Sequence, residues 1–342
     1  MSKRLAALVI VLLAFVTATG AMPAYAAGEV NVYSYRQEVL IRPLLDRFTK
    51  RTGIKVNIIF AKKGMIARLK AEGANSPADA ILTVDAGRLI RARQAGVLQP
   101  IQSTILTKSI PAQYRDPGGY WFGLTVRARP IIYSRARVKP SSLSTYAALA
   151  NAKWKGRICI RSSGNIYNQS MLAAMIARNG AAKTEAWARG LVANFARRPK
   201  GGDRDQIKAV AAGLCDIAVV NTYYLAGMTE SKRASDRAAA SKVKIFWPDQ
   251  KGNGAHVNIS GGGVTKSAKN RANAIKLLEF LVSDEAQLIY ASKVYEYPVK
   301  PGVAISKVLG AWGRFKADNL ALSALAKHNA EAVRVADRAG WR

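Results

Sequence analysis

Histidine and cysteine are scarce in this chain of 342 residues, which has two of each. Without a cluster of His and Cys, or an H-E-x-x-H pair, the sequence lacks the ligands that zinc prefers. The serine-hydrolase elbow, the Walker A loop and the dinucleotide-binding glycine fingerprint are also absent. We therefore expect a protein that is not an enzyme, and a lone histidine such as His256 is expected to be structural.

A run of three glycines occurs once, from Gly261 to Gly263, with Lys266 and Ser267 shortly after it. A phosphate-binding P-loop needs glycine directly before its lysine, where this chain has Thr265. The run therefore predicts a hinge or a tight turn rather than a phosphate site.

Acidic residues are few: 21 Asp and Glu stand against 53 Lys and Arg, which gives a formal charge of +32. The basic residues are scattered along the chain and no nucleic-acid-binding motif accompanies them. We therefore expect no nucleic-acid partner, and interpret the charge as a solvated surface suited to an acidic medium or to attracting anions.

The longest apolar run lies at the amino terminus, where Leu5 to Val16 follow Lys3 and Arg4 and precede the small residues Ala24 to Ala26. This pattern is typical of a signal peptide, predicted to span residues 1–26 and to be cleaved near Ala26. The predicted cleavage site has no cysteine that could carry a lipid anchor. No later apolar run is long enough to cross a bilayer. We expect an exported protein.

The two cysteines, Cys159 and Cys215, each lie beside a predicted strand, in GRICIRS and just before IAVV. In an oxidising compartment, neighbouring parallel strands would bring the two thiols within bonding distance. The sequence therefore predicts a Cys159–Cys215 disulfide.

Strand and helix patterns alternate along the chain, as in VNVYSY, EVLIRPLLDRFTKRTG and IKVNIIFA, which predicts an α/β fold with parallel strands. Two extended segments, YWFGLTVRARPIIYSR and HVNISGGGV, interrupt this order and predict crossings between two lobes with a cleft between them. We assign the segments after the signal peptide as the first lobe over 27–127, the second lobe over 128–251, a return to the first lobe over 252–301 and carboxy-terminal helices of the second lobe over 302–342.

Tyrosine is abundant, with 13 residues, and several lie where a predicted strand gives way to a helix. Tyr223 and Tyr224 follow the apolar strand Ile217 to Val220, and both can face one cleft if the chain leaves the strand before them, with Asn221 and Thr222 as capping residues. A phenol ionises near neutral pH only with help, such as a strongly Lewis-acidic cation supplies, and the resulting phenolate is a hard oxygen donor. Ferric iron meets that requirement. The alternative is a purely structural role, in which the two amphipathic tyrosines partly cover a hydrophobic core.

Two arginines, Arg36 and Arg127, lie in segments that could face the same cleft. Their forked donors match carbonate and carboxylate geometry. Each one taken alone is more typical of surface charge.

Nine stretches follow one another in a pattern that extends beyond these residues: VNVYSYRQ, GIKVNIIFAKKG, SPADAILTVDAGRL, IPAQYRD, YWFGLTVRARPIIY, RSSGNIYNQSMLAAMIA, GGDRDQIKAVAAGLCDIAVVNTYY, HVNISGGGV and YEYPVKPGV. Together they resemble the periplasmic ferric-iron-binding proteins of bacterial ABC importers, over essentially the whole chain after the leader. The resemblance implies a two-lobed type II periplasmic binding protein fold with two crossing hinge strands and a ligand cleft between the lobes.

The resemblance also implies the ligands. Tyr223, Tyr224 and Tyr167 correspond to iron ligands of the family, and a small anion, carbonate or bicarbonate, would complete the site, held by Arg127 and by Arg36 and Gln37. The implied partners are the ferric ion, that anion, and an inner-membrane ABC permease with its ATPase, and the implied state is a periplasmic monomer.

Glu38 departs from the family pattern, because one branch has His then Tyr as iron ligands where this chain has Gln37 and Glu38, and the closer branch usually has proline at the second position. Glu38 and Tyr35 are therefore kept as additional candidate ligands, with the expectation that Glu38 does not coordinate iron. The competing hypothesis is a carrier of the same fold for another small anionic ligand, in which the arginines form the site and the tyrosines its walls.

Overall fold

The structure, a computed structural model, describes residues 28–342, so the predicted signal peptide over 1–26 lies outside the described residues. Within 28–342 the chain forms thirteen α-helices and ten strands. The helices, in chain order, are α1 Glu38–Thr52, α2 Met65–Glu72, α3 Ala86–Gln94, α4 Thr104–Ser109, α5 Ile166–Asn179, α6 Ala181–Ala193, α7 Asp203–Ala211, α8 Thr222–Thr229, α9 Ala234–Ser241, α10 Arg271–Leu281, α11 Asp284–Ile289, α12 Lys307–Gly310 and α13 Leu325–Arg338.

A mixed sheet organises the first lobe. Its strands, from one edge to the other, are β10 Tyr297–Pro298, β4 Phe122–Ala128, β9 Val257–Val264, β3 Ala80–Thr83, β1 Glu29–Ser34 and β2 Lys55–Phe60. The strands β2, β1 and β3 run parallel, as the alternating strand and helix pattern predicts, whereas β9, β4 and β10 pair antiparallel.

A second, smaller sheet contains, in spatial order, β6 Ile158–Cys159, β7 Ile217–Val219, β5 Ile131–Ser134 and β8 Val243–Phe246. β6 and β7 are parallel neighbours, and β5 pairs antiparallel with both β7 and β8. Cys159, at the end of β6, forms a disulfide with Cys215, which lies just before β7, with 5.8 Å between the two Cα atoms.

The chain passes from one sheet to the other in both predicted crossing segments. β4 ends at Ala128 and β5 begins at Ile131, so only two residues separate strands of different sheets. The return path leads from β8 to β9, and after β10 the chain crosses again, because α13 packs against α5 and α6. Apart from Ala128, the strands of the first sheet lie within 27–127 and 252–301, while the lobe boundaries themselves stay a prediction.

The triple glycine is neither a hinge nor a tight turn, so that prediction is wrong. Gly261, Gly262 and Gly263 lie in the middle of β9, buried between β3 and β4. A Cβ atom at Gly261 would come within 2.5 Å of the Phe122 carbonyl oxygen, and one at Gly263 within 2.5 Å of the Tyr120 carbonyl oxygen. Glycine is needed here because neighbouring backbone approaches too closely for any side chain.

Local signals in the sequence account well for helix ends. α1 ends at Gly53, whose φ of 73° is left-handed and whose N–H donates to the Thr49 carbonyl, as the glycine after the amphipathic pattern predicts. Of the helices in residues 28–342, none is both long and apolar enough for a membrane span.

Candidate metal centre

Tyr223 and Tyr224 lie side by side in the first turn of α8, immediately after β7. The chain leaves the strand at Asn221, so the two side chains are no longer on opposite faces and their ring centroids come within 4.3 Å. Asn221 occupies the N-cap position, but its side chain makes no capping bond. Its amide oxygen accepts instead from Arg129 Nη1 at 3.0 Å.

Tyr167 joins this pair from another helix. It lies in the first turn of α5, where Asn165 caps the helix by accepting from the Tyr167 N–H at 3.0 Å. The Tyr223 hydroxyl donates to Tyr167 Oη at 3.1 Å. Three phenols therefore meet at the amino-terminal ends of two helices, where the helix dipoles favour negative charge. We refer to Tyr167, Tyr223 and Tyr224 as the phenol cluster.

Two phenols of the cluster, those of Tyr223 and Tyr224, hold their protons tightly in the absence of metal. Burial raises the pKa of Tyr223 well above its usual value, and negative charge on Tyr167 or Tyr224 would raise it further. Burial likewise raises the pKa of Tyr224, with Tyr167 and Asp203 adding to the effect. Because neither phenol ionises readily by itself, only a strongly Lewis-acidic cation would displace the protons and gain charged ligands.

Arginines surround the phenol cluster. The Arg161 and Arg127 guanidinium carbons lie 5.4 and 5.6 Å from the centroid of the Tyr167 ring, and that of Arg204 lies 5.2 Å from the Tyr224 ring. These positive groups would stabilise phenolates once they form.

A buried network of ionic hydrogen bonds around Asp203 packs behind the phenol cluster. It was not predicted from the sequence. Asp203, at the start of α7, accepts from Arg129 Nη1 and Arg161 Nη1, both at 3.2 Å, and from the Asn221 N–H at 2.7 Å. Arg129 Nη2 donates to Asn168 Oδ1 at 2.6 Å, next to Tyr167. The network ties the starts of α5, α7 and α8 together and so fixes where the three phenols lie. No local sequence signal distinguishes Asp203 from other acidic residues in a first helical turn.

Arg36, which follows β1, and Arg127, which lies in β4, come close together in the first lobe. Both side chains are buried, 2% and 1% exposed. Neither arginine is therefore a surface charge, which was the alternative for each of them. Arg36 Nη1 donates to Ser260 Oγ at 2.7 Å, and Arg127 Nη1 donates to the same oxygen at 2.8 Å. Glu296 accepts from Arg36 Nη1 at 3.1 Å and was not found from the sequence. We refer to Arg36 and Arg127 as the arginine pair.

The remaining predicted site residues are engaged elsewhere. Glu38 forms an ion pair with Arg42 one turn along α1, and its side chain is 50% exposed. Tyr35 is buried, its hydroxyl oxygen accepts from the Ile66 N–H at 3.1 Å, and Arg88 covers its ring. Gln37 is exposed at the N-cap of α1. Among the described residues, none of these three side chains hydrogen-bonds to the phenol cluster or the arginine pair.

His256 is buried in the approach to β9, and burial lowers its pKa to about 4. Across residues 28–342, no three His, Cys, Asp or Glu side chains come together as a metal site.

Comparison with known proteins gives concordant similarities. The family described as bacterial extracellular solute-binding protein matches residues 44–317. Iron uptake protein A1 of a Synechocystis species is 48% identical over 315 residues, which cover 92% of this chain and 88% of that protein.

Two solved structures extend the comparison. The Trichodesmium protein IdiA (FutA), in complex with iron and citrate ligands, is 54% identical with a TM-score of 0.88, over 92% of this chain and all (100%) of that one. The ferric iron-binding protein A of Mannheimia haemolytica, in an open conformation, is 46% identical with a TM-score of 0.86, over 92% of this chain and 99% of that one.

Proposed function

Because the chain belongs to the family of bacterial extracellular solute-binding proteins, we propose that it captures ferric iron in the periplasm and delivers it to an inner-membrane ABC permease. The predicted type II periplasmic binding protein fold is confirmed by its solved relatives. The observation that carries the proposal is the phenol cluster, in which Tyr223 contacts Tyr167 and lies against Tyr224.

Ferric iron matches the charge and hardness of this cluster. Three phenolates neutralise the three charges of Fe³⁺, and their oxygens are hard donors. They come from one side, so the remaining coordination positions stay open to a further ligand. The arginine pair supports binding of an anion at those positions, for which carbonate or bicarbonate is the candidate.

The cluster is preorganised by the network around Asp203 and Arg129. Both side chains are buried and paired with each other at 3.2 Å, so the helix ends that carry the phenols have little freedom. Binding therefore loses little free energy to ordering the ligands, which favours high affinity.

The partners of this function follow from the family. An exported binding protein of this fold delivers its cargo to a permease driven by an ATPase, and we propose a monomer in the periplasm. Delivery requires the cleft to open, because the phenol cluster belongs to the second lobe and Arg36 to the first.

A colour titration tests the proposal. Ferric phenolate absorbs visible light by charge transfer, so the protein mixed with ferric citrate and bicarbonate should develop a visible band that saturates at one iron per chain. If the protein stays colourless but binds oxyanions tightly, the ferric function is wrong and the alternative anion carrier replaces it.

Tyr224→Phe examines the ligand assignment directly. Removing one charged donor should weaken iron binding by about 3 to 5 kcal/mol, the scale of breaking a buried charge pair, and should shift the band. Tyr120→Phe is a matched control, because Tyr120 is also a partly buried tyrosine with an arginine, Arg93, over its ring. Wild-type affinity and an unchanged band in Tyr224→Phe would contradict the assignment.

A further inference from the structure

Glu296 is a buried carboxylate within hydrogen-bonding distance of the arginine pair, and the proposed function gives it no role. It is 3% exposed, accepts from Arg36 Nη1 at 3.1 Å and from Ser260 Oγ at 3.2 Å, and lies 4.0 Å from Arg127 Nη1. Thr125 also donates a hydrogen bond to it. One carboxylate therefore contacts both arginines and the serine between them.

These contacts use one side of each guanidinium and leave another side free. Arg127 donates Nη1 to Ser260 and Nη2 to the Ile259 carbonyl. Among the described residues, Arg36 Nε and Nη2 and Arg127 Nε have no hydrogen-bond partner. Nε and Nη2 of an arginine point along the same edge, which is the edge that binds two oxygens of a carboxylate or carbonate. Buried donors without an acceptor are costly, so the free edge of Arg36 is available to bind a small oxyanion.

Glu296 also sets the charge of this pocket. Two arginines and one ionised carboxylate leave a single positive charge in a buried place. Burial opposes ionisation of Glu296, but Arg36 and Arg127 outweigh it and hold the pKa of the carboxyl below its usual value. The carboxylate is therefore charged at neutral pH, and one negative charge on an incoming anion completes neutrality.

The segment that carries Glu296 is held on its other side by the second lobe. Tyr295, in a left-handed conformation with φ of 60°, and Tyr297 both pack against a cluster that contains Ala226 of α8. Tyr297 also contacts Phe315, with ring centroids 5.4 Å apart. The residues on either side of Glu296 thus pack against a cluster shared by α12 and the helix that carries Tyr223 and Tyr224, which restricts where its carboxylate can lie.

We propose that Glu296 is the positioning residue of the anion pocket, which orients the arginine pair and selects an oxyanion of single charge over one of double charge. The inference rests on the proposed function, because the anion would complete the iron site. Anion binding in the pocket can nevertheless be measured without iron.

The experiment compares bicarbonate with oxalate, a planar oxyanion of double charge, at pH 7.5 by calorimetry on the iron-free full chain. Wild type should prefer bicarbonate. Glu296→Gln keeps the shape but raises the charge of the pocket to two, so the preference should shift at least tenfold towards oxalate. The ratio of the two affinities within one variant is insensitive to a general loss of folding.

Two further variants separate charge from structure. Glu296→Asp keeps the charge and should keep the wild-type preference, even if both affinities fall. Glu279→Gln is the matched control, because this carboxylate lies in the same lobe and accepts a hydrogen bond from Ser103, not from the arginine pair. If Glu296→Gln keeps the wild-type ratio, or Glu296→Asp shifts it as far as Gln does, the inference is wrong.

An iron arm distinguishes the two ideas. A wild-type protein that gives no visible band with ferric iron and bicarbonate contradicts the proposed function, while the oxalate-to-bicarbonate ratio still decides the role of Glu296. A normal band together with an unchanged ratio in Glu296→Gln overturns only the inference.

Discussion

At the level of single residues, the structure differs from the sequence-based interpretation mainly in which charged side chains are buried. Arg36 and Arg127 are enclosed in the first lobe, although a chain so rich in arginine places most of its guanidinium groups in solvent. Asp203 and Glu296 are buried because each compensates two arginines. A buried charge persists only when it is paired in this way.

Glu38 lies on the protein surface, and we expect its substitution to have little effect on iron binding. Its ion pair with Arg42 is solvent-exposed and contributes about 0.3 to 0.5 kcal/mol. Glu38→Gln should therefore keep iron affinity at fixed bicarbonate within about threefold of wild type. Glu185→Gln, which breaks surface ion pairs with Arg189 and Arg338, is the control. A loss of about a hundredfold, or about 2.7 kcal/mol, with a shifted band would make Glu38 a ligand.

His256 should make the fold sensitive to acid. Burial lowers the pKa of His256 to about 4, against 6.5 for a free histidine, and the positive charges of Arg129 and Arg127 act in the same direction while Asp318 opposes them. The folded state therefore binds its proton less readily than the unfolded state. Stability is unaffected well above pH 6.5 and falls as the pH drops below that value. The loss reaches about 3 kcal/mol at pH 4 and levels off below pH 4.

The acid sensitivity can be measured by urea unfolding at pH 7 and pH 4. His256→Gln should lose about 3 kcal/mol less than wild type between the two values, whatever the variant costs at pH 7. His328→Gln removes a histidine from the partly exposed surface of α13 and serves as the control. Equal losses in wild type and His256→Gln would show that His256 does not titrate in this way.

At the level of elements, the phenol cluster lies where two parallel strands end. β6 and β7 are neighbours, and α5 and α8 begin shortly after them, so both helices present their first turns at the same edge of the second sheet. The carboxyl ends of parallel strands are the usual place for a ligand in an α/β sheet. The disulfide links Cys159 of β6 to Cys215, which precedes β7.

The disulfide should contribute stability more than affinity. It encloses a loop with a sequence separation of 56 residues, and the entropy of such a loop in the unfolded chain corresponds to about 4 kcal/mol. Replacing Cys159 and Cys215 together by alanine should lower the free energy of unfolding by up to this amount. Iron should still produce the visible band, because the Asp203 network continues to hold the phenols. A band lost in a variant that remains folded by circular dichroism would assign the disulfide to the site itself.

At the level of the whole molecule, the phenol cluster and Arg36 of the proposed site lie on different lobes. The phenol cluster extends from the second sheet, Arg36 from the first, and Arg127 lies in β4 just before the first crossing. Arg127 also lies close to the Tyr167 ring, so this crossing strand brings the two groups together. Iron and anion together would therefore hold the lobes closed, and loss of either would favour opening.

Iron loading should release protons, and its affinity should rise with pH. Burial raises the pKa values of Tyr223 and Tyr224, so both phenols are protonated in the iron-free protein throughout the neutral range. Iron must displace these protons, and the logarithm of the affinity should increase by about two for each pH unit from these two groups alone.

Proton release is measured in weakly buffered solution with an indicator dye, and iron retention is followed as the pH falls. Circular dichroism at each pH separates ligand protonation from unfolding. If iron and secondary structure disappear together at every pH, release is unfolding and the expected linkage is wrong.

The sequence by itself determined the parts that depend on neighbours along the chain. Alternating periodicity identified the strands and helices, Gly53 marked the end of α1, and the apolar strand followed by Tyr223 and Tyr224 placed two phenols in one helical turn. These features follow from local backbone preferences, so a short window of residues contains the information. The sequence also favoured ferric iron as the proposed cation, since the chain has few histidines and cysteines and many tyrosines.

Only the tertiary structure decided which distant residues share a buried environment. Arg36 and Glu296 lie 260 positions apart, and Arg129 and Asp203 lie 74 apart, yet each pair shares one buried hydrogen bond. Gly261 and Gly263 resembled a hinge because nothing in the local sequence reveals that backbone oxygens from β4 and the residues before it approach them. Burial, desolvation and close packing depend on segments that folding brings together, and the pattern of a single segment does not contain them.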